Sequence, residues 1–148
     1  MSRLRLVSNE EVLYNQHIMD EHFHSPQKVY PTLADGVTLT AHNTAWTLGN
    51  KTEIVPVNTI TSPFDIHFLN IGLASATDTY ELVLYKGLAG AEIEIGRVRV
   101  IRAAAQSGTA PMPMLTAILP ANTRISGALA SASGGGDTLE LALIYHTY

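Results

Sequence analysis

The chain has no cysteine, which removes disulfide frameworks, cysteine-containing zinc sites and thiol catalysis, and leaves its redox compartment open. Charge is scarce. Charged residues are 15% of the 148 residues, against roughly 25% in globular domains generally. Such a surface suits a protein partly covered by neighbouring subunits. Nine Lys+Arg face thirteen Asp+Glu, a net charge of -4, so neutralising many phosphates is excluded as a main activity and no nucleic-acid partner is expected. Long apolar runs are also missing. MSRLRLVSNEEV reaches acidic residues before any signal-peptide h-region, and no stretch approaches about eighteen uninterrupted apolar residues. The expectation is a soluble chain, made in the cytoplasm and not exported, with no membrane partner.

Catalytic signatures are equally sparse. No HExxH is present, no Gly-x-Ser-x-Gly elbow, and neither GLAG at 87–90 nor the triple glycine at 134–136 introduces a helix as a phosphate loop must. The richest polar stretch is HIMDEHFH, residues 17–24, which holds three of the six histidines. On a helix His17 and Glu21 share a face, and on a strand His22 and His24 do, but neither geometry converges three ligands. The segment therefore reads as part of an arm whose His17, His22, Phe23 and His24 are interaction candidates. Neither a metal nor a cofactor is expected.

Ser8 and Glu11 have capping-box spacing, which predicts a short helix over about 9–23, ended before Pro26. From Pro31 the texture changes to short runs rich in Thr, Val, Ile and Tyr, punctuated by Gly, Asp, Asn and Pro. Strands are predicted near 37–41, 44–48, 52–57, 64–72, 79–86, 91–103, 113–118, 122–131 and 138–147. With no helix between them they predict an antiparallel sandwich or barrel. The organisation is an arm at 1–30 and a β-sandwich domain at 31–148.

DTLELALIYHTY places Leu139, Leu141, Leu143 and Tyr145 on one face and Glu140, Ala142, Ile144 and His146 on the other. FDIHFLNIGL carries apolar residues on both faces, as a central strand does. AEIEIGRVRVIRA alternates and then slips by one, which a β-bulge at Gly96-Arg97 repairs. SASGGGDT, 131–138, reads as a mobile hairpin tip. Asp65 and His67 share one strand face without a serine partner, so a polar sheet face outweighs an acid–base pair. Arg97, Arg99 and Arg102 follow Glu92 and Glu94 on one strand, which favours cross-strand charge pairing over a basic patch. Trp46, the one tryptophan, reads as a core or interface anchor ahead of a sugar-stacking residue.

Taken in order, TAWTLGNKTEIVPV, FDIHFLNIG, YELVLYKGLAGAEIEIGRVRVIRA and ILPANTRISGALASASGGGDTLELALIYHTY resemble small structural proteins of tailed bacteriophages that decorate or cement the capsid or form small head fibres. The resemblance covers roughly residues 30–148. It implies an all-β, antiparallel, jelly-roll-like β-sandwich with a short N-terminal arm or helix, and a homotrimer seated on the major capsid protein at the virion surface. The function so implied is non-enzymatic: stabilising a capsid by bridging capsomers. The alternative is a carbohydrate- or receptor-binding module of a fibre or spike, with Trp46, Tyr80 and Tyr85 available for stacking.

Overall fold

The computed structural model describes residues 26–148, so the helix expected at 9–23 and the candidates His17, His22, Phe23 and His24 lie outside the described residues. Nine strands follow in order: β1 (Lys28–Tyr30), β2 (Val37–Thr40), β3 (Thr52–Val55), β4 (Phe64–Ala74), β5 (Asp78–Lys86), β6 (Ile93–Arg102), β7 (Ala110–Pro113), β8 (Ile125–Ser131) and β9 (Thr138–Thr147). No helix occurs among the described residues. β1 falls within residues 1–30, which the sequence pattern had set apart as an arm.

The pairing is nested. β5 pairs β6, β4 pairs β7, β3 pairs β8 and β2 pairs β9, all antiparallel, as if one long hairpin had been folded back on itself. Rolling that ribbon up adds two lateral pairings, β4 with β9 and β5 with β8. Two sheets result, β2-β9-β4-β7 with β1 also on β9, and β3-β8-β5-β6. This is the eight-stranded jelly roll, with β1 added.

Alternation in the strands builds the core between the sheets. Leu139, Leu141 and Leu143 of β9 face Tyr80, Leu82 and Leu84 of β5, with Phe64, Ile66, Leu69 and Ile71 of β4 beside them, all fully buried. Each such side chain contributes about 1.5–3 kcal/mol by leaving water. β8 turns Ile125, Gly127 and Leu129 inward. A Cβ on Gly127 would lie 2.8 Å from Ile54 Cδ1 and 3.1 Å from Leu39 Cδ1, so packing there leaves no room for a side chain.

Three connections differ from the pattern read along the chain. Residues 44–48 form a turn, with Trp46 at φ 56°. The seventh strand ends at Pro113, where 113–118 was expected. Beyond it Met114 N–H still donates to His67 O and Thr116 N–H to Ile66 O, but an irregularity in β4 opposite this stretch ends the regular ladder. The 131–138 stretch joins strands of different sheets and is pinned: Ser133 donates from its amide and hydroxyl to Asp78 Oδ2, at 2.9 and 2.6 Å, and Gly135 N–H to Asn43 O. Gly134, Gly135 and Gly136 all take positive φ, so glycine serves the clamped turn here.

Candidate functional site

β4 holds the irregularity that shapes the site. Ile66 pairs with Tyr145 and Phe68 with Ile144, leaving His67 as an extra residue on β4, a β-bulge. The bulge explains why FDIHFLNIGL carries apolar residues on both faces: the core side changes phase, with Phe64 and Ile66 inward before it and Leu69 and Ile71 inward after it. Asp65 and His67 point to the outer face of the first sheet. Antiparallel register places His146 of β9 directly opposite Asp65.

The three side chains meet. His67 Nε2 lies 3.0 Å from Asp65 Oδ2 and 3.2 Å from His146 Nδ1, and the two imidazoles cross edge to face with centroids 4.2 Å apart. Tyr148, held by its amide donating to Pro63 O, donates its hydroxyl to Asp65 Oδ2 at 2.7 Å. Asp65, His67 and His146 retain only 5%, 8% and 6% of their exposure. Asp65 Oδ1 is buried without a hydrogen-bond partner. One ligand-type atom from each residue lies within 4.8 Å of the others, and this is the metal-competent trio among the described residues. Chemically, the cluster can relay a proton or hold a divalent cation.

Asp65 and His67 were legible as a pair on one strand face. His146 was the missed member: its outward direction followed from the alternation of β9, but its position opposite Asp65 depends on a register set by residues far apart in sequence. Trp46, the remaining candidate, lies far from a core role. It is 45% exposed, and the Arg99 guanidinium stacks on its ring at 4.4 Å. Tyr80 is fully buried and donates to Ala76 O, so it cannot stack on a ligand. Tyr85 lies under the Lys51 ammonium, 4.4 Å from the ring centroid.

The charges of the second sheet pair across strands. Arg97 bonds Glu94 on its own strand and Glu81 on β5, and Arg99 bonds Glu81. These arginines, first among them Arg99, hold the Glu81 carboxyl below its ordinary range against the opposing effect of burial. Glu92 instead reaches Lys51 and Arg124 from the loop before β6. Arg102 leaves this group altogether: it is buried, with Nε donating to Gly72 O at 3.0 Å and a terminal nitrogen to Gly108 O at 2.6 Å.

No protein-family model and no curated protein matches the chain. Among solved structures it is similar to Eiger TNF from S. frugiperda, at 12% identity over 84% of this chain and 92% of that one, TM-score 0.40. It is also similar to chains in the structures of infectious bursal disease virus, Gt strain (14% identity, 84% of this chain, TM-score 0.44) and Gx strain (14%, 83%, 0.42). The viral matches span 33% and 32% of those chains. The jelly-roll assignment rests on the strand order itself.

Proposed function

We propose that this chain is a non-enzymatic virion structural protein that decorates and stabilises a phage capsid by bridging capsomers as a homo-oligomer. The supporting observation is the open side of the sandwich. β6 and β7 each form one edge of their sheets, and these two edges lie together, since the backbone of Gly96 on β6 packs against Met114 just after β7. On that side Ile93 and Ile101 of β6, and Leu115 and Ile118 after β7, stand 62%, 77%, 76% and 50% exposed. Large apolar side chains on unpaired edges are a liability in a free monomer and an asset in an assembly. Repetition by symmetry turns weak contacts into avidity.

The proposal is tested by quantifying the protein in purified particles relative to the major shell protein, for the full chain and for a chain lacking residues 1–24. Stoichiometric, symmetry-matched copy numbers that fall on truncation support it. Absence from particles, or full decoration by the truncated chain, refutes the virion role or the arm's part in it respectively. A glycan-binding module is a second reading, favoured by an open cleft of about 500 Å³ whose lining includes Thr40, His42, Asn43 and Asn50, in the same loop region as exposed Trp46. Glycan-array binding lost in Trp46→Ala would establish it.

A further inference from the structure

We propose that Asp65, His67 and His146 form a binding site for a divalent transition metal of the zinc type, with Tyr148 as a positioning residue. This inference stands apart from the assembly reading and does not depend on it. Four observations converge on it.

The first is spacing. Zinc bonds to imidazole nitrogen and carboxylate oxygen are about 2.0–2.2 Å long, so neighbouring ligand atoms of a tetrahedral shell are about 3.3 Å apart. The Asp65–His67 and His67–His146 edges are already 3.0 and 3.2 Å, and the third edge lies within 4.8 Å. Closing that one edge completes a three-residue face, with at least one coordination position left for water or another donor.

The second is proton placement. His67 Nε2 faces a carboxylate oxygen and a second imidazole nitrogen at once, but it can carry one hydrogen and direct it well at one of them. A cation among the three accepts a lone pair from each. The third is Asp65 Oδ1, a carboxylate oxygen buried with no hydrogen-bond partner. A buried carboxylate short of donors is costly, and a divalent charge alongside offsets that cost.

The fourth is the bulge. The inward phase of Phe64, Ile66, Leu69 and Ile71 is regular without His67, the strand's other register shift falling later, between Ile71 and Ala74, so the packing of these four does not require the extra residue; what it supplies is an imidazole aimed at Asp65 and His146. Bulges are a recurrent means of re-aiming a side chain at a functional site. Tyr148, donating to Asp65 Oδ2, fixes the carboxylate as outer-shell partners of metal sites do. Two imidazoles and one carboxylate favour zinc and its transition-metal neighbours over magnesium or calcium, which prefer all-oxygen shells.

The test uses the full-length, tag-free chain, stripped by chelator and titrated with Zn²⁺ by calorimetry, with Co²⁺ as a spectroscopic reporter of tetrahedral N/O ligation. The expected result is one high-affinity equivalent per chain, weakened ~100-fold or more in Asp65→Asn and His146→Gln and ~10-fold in Tyr148→Phe. In a variant with His17, His22 and His24 all changed to alanine the equivalent is expected to remain, since the ligands proposed are Asp65, His67 and His146. Circular dichroism establishes that each variant folds. If His146→Gln does not fold, Tyr148→Phe decides: unchanged affinity there overturns the proposal. It is equally overturned by no binding at ~100 μM Zn²⁺, or by binding that the triple variant loses and His146→Gln retains.

Discussion

Replacing Arg102 by methionine keeps the apolar stem that fills its buried position and removes the guanidinium. The lost bonds are to Gly72 O at 3.0 Å and Gly108 O at 2.6 Å, with Gln106 O a weak third at 3.5 Å. A hydrogen bond from a charged donor is worth roughly 1.5–3 kcal/mol net. The Gly108 carbonyl belongs to an exposed loop that water can reach, whereas Gly72 is buried, so most of the loss falls there. The expected destabilisation is about 2–3 kcal/mol, which for a domain of this size lowers Tm by roughly 5–10 °C. Arg102→Lys should fall between, because a point cation cannot span carbonyls as a planar fork does. Thermal denaturation followed by circular dichroism measures the shift. The loop from Ala103 to Thr109 should also become sensitive to elastase, which accepts small residues such as Ala103 and Ala104. If Tm moves by less than about 1 °C and cleavage is unchanged, the buried guanidinium is not what ties this loop to β4.

Gly127→Ala drives a methyl into Ile54 and Leu39 and should destabilise by about 1–3 kcal/mol, read as a lower urea midpoint. Asp78 has its pKa held below the ordinary 3.8, chiefly by the Ser133 hydroxyl and with help from the Ser133 and Thr79 amides, against burial. Because the folded value is the lower one, this stabilisation is full above the ordinary value and disappears as pH falls through the folded one. The Tm gap between wild type and Ser133→Ala should therefore narrow as the pH is lowered from about 6 to about 3. Arg99→Ala uncovers a face of Trp46; its fluorescence should shift to the red, with a stability change within about 1 kcal/mol.

Strands that obey one phase from end to end were readable from sequence, and β9 is the case in point: Leu139, Leu141 and Leu143 are core residues and Tyr145 packs against them. Phase changes were harder. In β6 the slip was visible, but the structure places the extra residue at Ile95, since Leu84 pairs with Gly96 and Tyr85 with Glu94. The glycine there keeps a negative φ and answers to Met114, whose Sδ would lie 2.9 Å from an added Cβ. In β4 the bulge was masked because apolar residues flank it on both phases. Arg102 shows a signal present but unused: Arg97 and Arg99 share a parity with exposed Ile101, which puts Arg102 with Val98 and Val100 on the core side. The Asp65–His67–His146 cluster was half legible, because strand pairing across most of the chain length leaves no local periodicity to read.

Whether His67 belongs to β4 for packing or for its side chain can be decided by deletion. With His67 removed, Ile66 and Phe68 become neighbours opposite Tyr145 and Ile144, which already pair with them in sequence. Phe64, Ile66, Leu69 and Ile71 then alternate regularly and all keep their inward direction. The backbone loss falls on the edge strand, where Met114 N–H must find a substitute for His67 O, about 1–2 kcal/mol, and the side-chain contacts to Asp65 and His146 go with the imidazole. Deleting Leu69 is different, since it sends Asn70 toward the core and Ile71 toward the outer face. Losing two fully buried side chains at about 1.5–3 kcal/mol each and burying an amide takes up much of the roughly 5–15 kcal/mol that hold a domain together. The His67 deletion should accordingly melt cooperatively, within about 10 °C of wild type, and lose its metal equivalent; the Leu69 deletion should be unfolded or insoluble. If both deletions unfold alike, the extra residue is a packing requirement of the sheet, and the bulge no longer argues for a site.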